Sequence, residues 1–302
     1  MSIERLHVHG AHVADMSAAT RRGLGEMGWF ALALPEAAGG SGLSPVEHAL
    51  FFREVGRQCG PVDVLAQALA AQVVTDETLR AAIVSGEAGV ALALSQGKGL
   101  RLLGTVDAAY ALQVEQAGAR LFALEGVITA ERPALDPATS MRLVDTVPGV
   151  IAEQAGEGAW RLGALGTAAM LVGLAEATLD QIVDYAKVRE TFGRKIGSFQ
   201  AVRHPCADMA LRAEAARCQL WYAATALKEG RGDADLHLDA AKHLANEAAL
   251  ANADTNIQLH GGIGVTDEHH AHLYLKHAML LAKLFGSKRA LLARLLVTHS
   301  DH

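Results

Sequence analysis

The sequence has few cysteines, few prolines, no excess of positive charge and no long apolar run. Its 302 residues include three cysteines, whose odd number and wide spacing argue against a disulfide framework and fit a reducing cytoplasm. The formal net charge of −6 argues against a general affinity for nucleic acid. No apolar run approaches the roughly 20 residues of a membrane span, and the first residues lack the pattern of a secretion signal. The sequence therefore predicts a soluble cytoplasmic protein.

The abundant residues are helix formers. Hydrophobic residues make up 51% of the chain, and many of them are alanine and leucine. Ser17 is suited to cap a first helix, and Ser44 followed by Pro45 favours the start of a second, which we expect to reach about Gln58. The apolar face of this second helix is expected to consist of Val46, Leu50, Phe51 and Val55. Two further helices are expected at about residues 62–74 and 77–84.

The remaining two thirds of the chain divide into a strand-like part and a helical part. Between residues 89 and 150, five short apolar runs bounded by glycine, aspartate and proline are typical of a small antiparallel sheet. Four long helical patterns follow, at about residues 157–190, 199–229, 235–260 and 267–298. The sequence thus predicts a mainly α protein with a small β domain. The predicted domains are N-terminal helices at 1–86, a reduced middle β domain at 87–152 and a C-terminal four-helix bundle at 153–302.

The turn between the first two bundle helices concentrates positive charge. It carries Arg189, Arg194 and Lys195, opposed by Glu190 alone. Because a guanidinium group binds phosphate oxygens bidentately, such a corner can hold an anionic ligand. The same residues are also compatible with a solvated basic corner between two helices.

A second stretch, Gln258-Leu-His-Gly-Gly-Ile-Gly264, follows a later helical run and places glycines where a backbone can approach a ligand closely. Together with Arg189-x-x-Phe192-Gly193 and the segment from Asp267 to Lys276, it resembles the C-terminal helical domain of the flavin-dependent acyl-CoA dehydrogenases. The resemblance begins at about residue 24 and is dense from about residue 171 onward. It implies N-terminal helices, a middle sheet and a C-terminal bundle, in the order that the sequence patterns also follow.

The resemblance also implies a chemistry and a cofactor. Enzymes of this family oxidise a CoA thioester to its α,β-enoyl form: a glutamate removes the α-proton, FAD accepts a hydride, and an electron-transfer flavoprotein accepts the electrons. The flavin is held partly across a subunit interface in this family. On this resemblance, Arg189 and Phe192 are expected at the pyrophosphate, and Gln258, Gly261 and Gly262 at the adenosine part. Gln200, in a similar Phe-Gln-Ala-Val segment, is a further candidate, whereas Val265 replaces an aromatic residue of the family.

The catalytic glutamate that the resemblance implies has no counterpart at either of the two positions where the family places it. One position falls in Leu284-Phe285-Gly286-Ser287, where Phe285 cannot accept a proton, and the other falls at Gly163. No carboxylate occurs at residues 159–175 or 269–300. The middle domain also lacks the family's Thr-Glu-x-x-x-Gly-Ser-Asp loop and Trp-(Ile/Val)-Thr segment, which hold the flavin ring.

These losses lead to a hypothesis of shared function. The chain resembles the non-catalytic subunit of a heteromeric α2β2 acyl-CoA dehydrogenase of the bacterial steroid-degradation type, with no catalytic residue of its own. Its expected partners are a catalytic subunit, a bulky acyl-CoA substrate and an electron-transfer flavoprotein. Two alternatives stay open: a self-sufficient enzyme whose base is Glu157, Glu176 or Glu268, and a scaffold protein that binds no flavin. For Glu176, a solvated or helix-terminal charge is the expected structural role.

Two groups of histidines raise the question of a metal. His7, His9 and His12 lie near the start, and His269, His270 and His272 lie at the start of the last helical pattern. Neither group has further ligands at a metal-binding spacing. We therefore predict no metal site, and we expect the second group to pack near the end of the bundle.

Overall fold

The computed structural model describes residues 16–137 and 139–300, so that His7, His9 and His12 lie outside the described residues. The chain separates into two compact units. Of the described residues, 16–48 and 60–163 belong to one unit, and 49–59 and 164–300 belong to the other. The boundaries predicted at 86/87 and 152/153 stay a prediction.

The N-terminal helices are α1 (Ala18–Glu26), α2 (Pro45–Arg57), α3 (Asp63–Val73) and α4 (Glu77–Val84). The predicted cap of α1 is confirmed, since the Ser17 hydroxyl accepts a hydrogen bond from the backbone N–H of Thr20 at 3.1 Å. At the start of α2 the backbone N–H of Ser44 donates to the Glu47 carboxylate at 2.9 Å, which completes a capping box. The expected apolar face of α2 is wrong at one position, because Leu50 is 46% exposed.

The middle of the chain forms one seven-stranded sheet in the order β5-β6-β2-β1-β3-β4-β7. The strands are β1 (Val90–Gln96), β2 (Gly99–Leu103), β3 (Tyr110–Glu115), β4 (Gly118–Ala123), β5 (Ala130–Arg132), β6 (Met141–Val144) and β7 (Val150–Ala155). The prediction of an antiparallel sheet is wrong for one pair, since β1 and β3 run parallel. The reason is that β2 turns back along one side of β1, and the chain then crosses to the other side to form β3 in the original direction.

The C-terminal part contains the helices α5 (Gly158–Val188), α6 (Gln200–Lys228), α7 (Ala234–His260), α8 (Ala271–Leu281) and α9 (Lys288–Ser300). The fourth long helix of the prediction is therefore two helices, separated at residues 282–287. Phe285 has φ 52° and Gly286 has φ 121°, and neither value can be accommodated in a right-handed helix. The mainly α fold with a small β domain is confirmed.

Two glycines bring α2 and α5 unusually close within the second unit. A Cβ atom at Gly56 would lie 1.9 Å from the carbonyl oxygen of Met170, and one at Gly173 would lie 1.9 Å from that of Arg53. Only hydrogen atoms fit between the two backbones at these points.

Among the described residues, one helix is long and apolar enough to cross a membrane, contrary to the expectation from the sequence. It is α5, and 83% of its most apolar window is buried inside the structure. Such burial is the normal environment of a core helix, so the hydropathy of α5 follows from packing.

Candidate functional site

The basic turn after α5 is a small β-hairpin. Strands β8 (Glu190–Thr191) and β9 (Arg194–Lys195) pair antiparallel and are joined by Phe192 and Gly193. Both turn residues have positive φ, 50° and 76°, as a two-residue type I′ turn requires. This conformation is unfavourable for phenylalanine, and the Phe192 side chain is nevertheless 91% exposed. The hairpin thus presents an aromatic ring to its surroundings at a cost in backbone strain.

The three cationic side chains of this hairpin differ in whether other residues already engage them. Lys195 forms an ion pair with Glu190 at 2.6 Å, and the Arg194 guanidinium lies 4.0 Å above the ring of Phe199. The guanidinium of Arg189 makes no hydrogen bond or ion pair with any residue that the structure describes, and the side chain is exposed. Arg189 is therefore the cation of the hairpin that can accept an anionic ligand without giving up an existing contact.

The second motif forms the end of α7 and the 3₁₀ turn Gly261–Val265 that follows it. Gly261 has φ 68° and ψ −147°, a region of backbone space that is essentially restricted to glycine. A Cβ atom added at Gly261 or Gly262 would meet nothing within 4 Å, so this backbone is open to an approaching molecule. Gln258, one turn earlier on α7, is also exposed.

The structure brings the two motifs to the same end of the second unit. The Asn256 amide on α7 donates to the Gln181 side-chain oxygen on α5 at 2.6 Å. One turn further along each helix, the rings of Tyr185 and His260 lie 4.4 Å apart between their centroids. Arg189 follows Tyr185 by four residues and therefore belongs to this same helix end.

The predicted cofactor residues lie on three different elements. Arg189 and Phe192 lie on the hairpin, and Gln258, Gly261 and Gly262 lie on or just after the neighbouring end of α7. Gln200 is the exposed first residue of α6 and makes no side-chain hydrogen bond with the described part of the chain. All six residues are exposed, so the candidate site is an open surface of this chain.

Beside these exposed residues lie buried polar groups that no sequence pattern indicates. The Nε2 atom of His260 and the Oδ1 atom of Asn256 have no hydrogen-bond partner among the described residues. Burial lowers the pKa of His260, although its hydrogen bond to the Asn256 carbonyl acts in the opposite direction. Burial also lowers the pKa of His269 to about 4, with a further contribution from the neighbouring His260, His270 and His272. The rings of His260 and His269 are thus neutral at physiological pH.

Apolar and small residues occupy the two positions where the family resemblance would place a base. Phe285 is only 7% exposed and lies in the break between α8 and α9. Gly163 is a buried residue of α5. Neither residue can accept a proton, and no acidic residue replaces them within the same segments.

The alternative candidates for a base are engaged elsewhere or exposed. Glu157 is paired with Arg161 at 2.8 Å, and Glu268 is exposed. The expectation of a solvated or helix-terminal Glu176 is wrong, because the residue is only 9% exposed and lies in the interior of α5. Its carboxylate lies among three guanidinium groups, at 2.7 Å from Arg53, 3.3 Å from Arg57 and 3.7 Å from Arg217. These ion pairs engage the carboxylate within the structure, so it is not free to act as a base toward a substrate.

The histidines at the start of α8 form packing contacts. His269 lies 4.2 Å from His260 between ring centroids, and no group of three or more potential ligands among the described residues is arranged to hold a metal.

Comparison with known proteins agrees with this architecture. Residues 5–82 match the family model of the acyl-CoA dehydrogenase N-terminal domain, and residues 157–296 match that of the C-terminal domain. The acyl-CoA dehydrogenase IpdE2 of Mycobacterium tuberculosis is 33% identical over 276 residues, which are 89% of this chain and 83% of IpdE2. The acyl-CoA dehydrogenase FadE34 of the same organism is 37% identical over 290 residues, which are 90% of this chain but only 41% of FadE34.

Solved structures give the same result. A variant of the Tcur3481–Tcur3483 steroid ACAD has a TM-score of 0.79 at 27% identity, covering 94% of this chain and 89% of that one. The ChsE4–ChsE5 complex from Mycobacterium tuberculosis has a TM-score of 0.77 at 25% identity, covering 95% and 89%. The chain described here is therefore a member of the acyl-CoA dehydrogenase family.

Proposed function

We propose that this chain is the non-catalytic subunit of a heteromeric, FAD-dependent acyl-CoA dehydrogenase. The observation that carries the proposal is an asymmetry within one chain. Arg189 and Gln258 are retained on an open surface, whereas the two expected base positions hold Phe285 and Gly163. A partner chain then supplies the glutamate and the pocket of the flavin ring, and this chain supplies contacts to the remainder of the cofactor.

The residues of the open surface fit the polar half of FAD. The unpaired guanidinium of Arg189 is suited to bind the diphosphate, because its planar fork matches phosphate oxygens. The exposed amide of Gln258 and the accessible backbone at Gly261 and Gly262 are suited to the adenosine part. When bound, FAD supplies a hydride acceptor, a chemistry for which the side chains of this protein have no equivalent.

The family resemblance supports the choice of partners and substrate. Two of the similar solved structures contain a pair of differently named chains, and one is described as a steroid enzyme. On this basis we propose a catalytic acyl-CoA dehydrogenase chain as partner and a CoA thioester with a bulky, steroid-like acyl group as substrate. An electron-transfer flavoprotein is the proposed acceptor of the electrons.

Co-expression with a catalytic acyl-CoA dehydrogenase chain, followed by the ratio of flavin to protein, tests this function. We expect one FAD per pair of unlike chains, and little FAD on this chain alone. The Arg189→Ala variant should weaken FAD binding by roughly 30-fold, because a charge-assisted hydrogen bond of about 2 kcal/mol is lost. Arg194→Ala is the matched control on the same hairpin, since its guanidinium already lies against Phe199.

Three outcomes would contradict the proposal. A chain that alone holds stoichiometric FAD and oxidises a thioester would be a self-sufficient enzyme, and Glu157→Gln and Glu268→Gln would then locate its base. An assembly that forms without FAD, or FAD binding that is unchanged by Arg189→Ala, would indicate a scaffold role.

A further inference from the structure

Three aromatic rings lie stacked between the two motifs of the candidate site. The ring of His260, at the end of α7, lies 4.4 Å from Tyr185 on α5 and 4.2 Å from His269, between centroids. Tyr185 and His269 also face each other edge-on at 6.4 Å. We refer to Tyr185, His260 and His269 as the ring stack. It joins the helix that leads into the hairpin to both sides of the glycine turn.

Hydrogen bonds fix the orientation of both imidazole rings. The Nδ1 atom of His260 lies 2.8 Å from the Asn256 carbonyl oxygen, and since a carbonyl can only accept, Nδ1 carries the proton and donates. The Nδ1 atom of His269 accepts from the backbone N–H of Ala271 at 3.1 Å, so it carries no proton. A neutral ring in a defined tautomer at each position avoids repulsion between the two histidines.

The ring stack lies next to both motifs of the candidate site. Tyr185 precedes Arg189 by one helical turn, and His260 stands directly before Gly261. The side chains of Arg189 and Gln258 make no hydrogen bond with any described residue. Their positions are therefore set by the backbone that carries them. The relative position of the hairpin and the glycine turn therefore depends on the helix ends that the ring stack joins.

We infer that His269 is a positioning residue for FAD: through the ring stack it holds the hairpin of Arg189 in register with the turn at Gly261, so that both can contact one cofactor. The inference rests on the proposed function for its ligand. In the alternative, His269 only caps α8 and contributes to global stability. Its substitution would then lower the melting temperature without a specific loss of FAD affinity.

The chain offers a matched control for the loss of a ring contact. His237 and Tyr222 form a second pair of rings, also 4.4 Å apart, near the start of α7. His237 precedes His260 by 23 residues, which is about 34 Å along the helix. His237→Ala therefore removes a ring contact far from the candidate site, together with the polar contacts of His237 with Gln219 and Asp233.

The test compares His269→Ala, His269→Phe and His237→Ala in the complex with a catalytic chain. His269→Ala should weaken FAD binding about tenfold, the upper range for an aromatic contact. His269→Phe restores a ring and should stay within about threefold of the native affinity, although it lacks the hydrogen bond to Ala271. His237→Ala should lower the melting temperature comparably and leave FAD affinity unchanged. Equal FAD affinity of the His269→Ala and native complexes, or an equal loss in His237→Ala, would overturn the inference.

A second measurement on the full chain separates the two proposals. Amide hydrogen exchange in the hairpin, where the backbone N–H of Ile196 donates to the Arg189 carbonyl at 2.9 Å, needs no cofactor. We expect exchange at residues 189–197 to rise about tenfold in His269→Ala and to remain native in His237→Ala. A native complex that lacks FAD would refute the proposed function, and unchanged exchange in His269→Ala would refute the ring stack as a positioning element.

Discussion

Lys242 provides the most quantitative prediction from the structure. This lysine of α7 is completely buried, and its Nζ atom donates to the Asn246 side-chain oxygen at 2.7 Å and to the Leu281 carbonyl at 3.3 Å. No carboxylate of the described residues forms an ion pair with it. Burial without a counter-charge lowers the pKa of Lys242 from 10.5 to about 7.

This shift makes the stability of the protein depend on pH in a defined window. The difference of 3.5 pH units between 10.5 and 7 corresponds to a destabilisation of about 5 kcal/mol when the lysine is charged in both states. Between pH 7 and 10.5 the unfolded state binds more protons than the folded state, so the free energy of unfolding rises with pH. From pH 7 to pH 9, Lys242 alone should add about 2 kcal/mol.

Urea unfolding of the native protein and the Lys242→Met variant at pH 7 and pH 9 tests this reasoning. Methionine removes the charge but leaves the side-chain oxygen of Asn246 without its donor, at about 1–3 kcal/mol, whereas the Leu281 carbonyl still accepts from the backbone N–H of Leu284 at 3.1 Å. This cost offsets part of the stability gained at pH 7 by removing the charge. The test depends on how the difference in free energy of unfolding between the two proteins changes with pH. Relative to native protein, Lys242→Met should lose about 2 kcal/mol between pH 7 and pH 9.

An exposed lysine provides the control. Lys288 pairs with Glu247 at 3.1 Å on the surface, and Lys288→Met should change stability by less than about 1 kcal/mol. Parallel pH profiles of the native protein and Lys242→Met would refute the reasoning, because they would mean that Lys242 has an ordinary pKa in the folded chain.

Three further substitutions have defined expectations. Gly173→Ala places a methyl group 1.9 Å from the Arg53 carbonyl oxygen and should lower the stability of the chain by about 3 kcal/mol, measurable by thermal unfolding. Glu176→Gln removes the carboxylate that three guanidinium groups share, although each of them keeps a second carboxylate, and should cost about 2 kcal/mol in the same assay. Gly261→Ala forces an alanine into a conformation that costs about 1–3 kcal/mol, so it should lower the melting temperature by a few degrees and weaken FAD binding about tenfold; native FAD affinity in this variant would show that the turn does not contact the cofactor.

The helices of the first part were predictable because their signals are local. Ser17 caps α1 through a residue three positions away, and Ser44 and Glu47 close a capping box within one turn. The strands β5 and β7 were missed because they lie at the edges of the sheet, and most of their side chains are exposed. An edge strand of this kind carries no alternation of apolar and polar residues from which it could be recognised.

The features that sequence reasoning missed depend on residues far apart in the chain. The environment of Glu176 is set by arginines on α2 and α6, and α2 lies more than 100 residues earlier. The break at residues 282–287 interrupts a leucine-rich pattern that is continuous in period, and Gly286 is its single local signal. The ring stack forms between side chains of α5, of α7 and of the segment before α8, so that spacing along the chain gave no indication of it.

Backbone strain occurs at three non-glycine residues of the described chain, and it is offset to different degrees. Cys59, Phe192 and Phe285 are non-glycine residues with positive φ, a conformation that costs of order 1–3 kcal/mol. Cys59 and Phe285 are buried, so packing within the chain offsets their strain. Phe192 is 91% exposed and has one edge-on ring contact, with centroids 6.5 Å apart, to Phe199. This contact offsets little of the strain energy. A chain gains nothing for its own stability by holding an aromatic ring in this way. The strain and exposure of Phe192 agree with the cofactor contact proposed above for this residue.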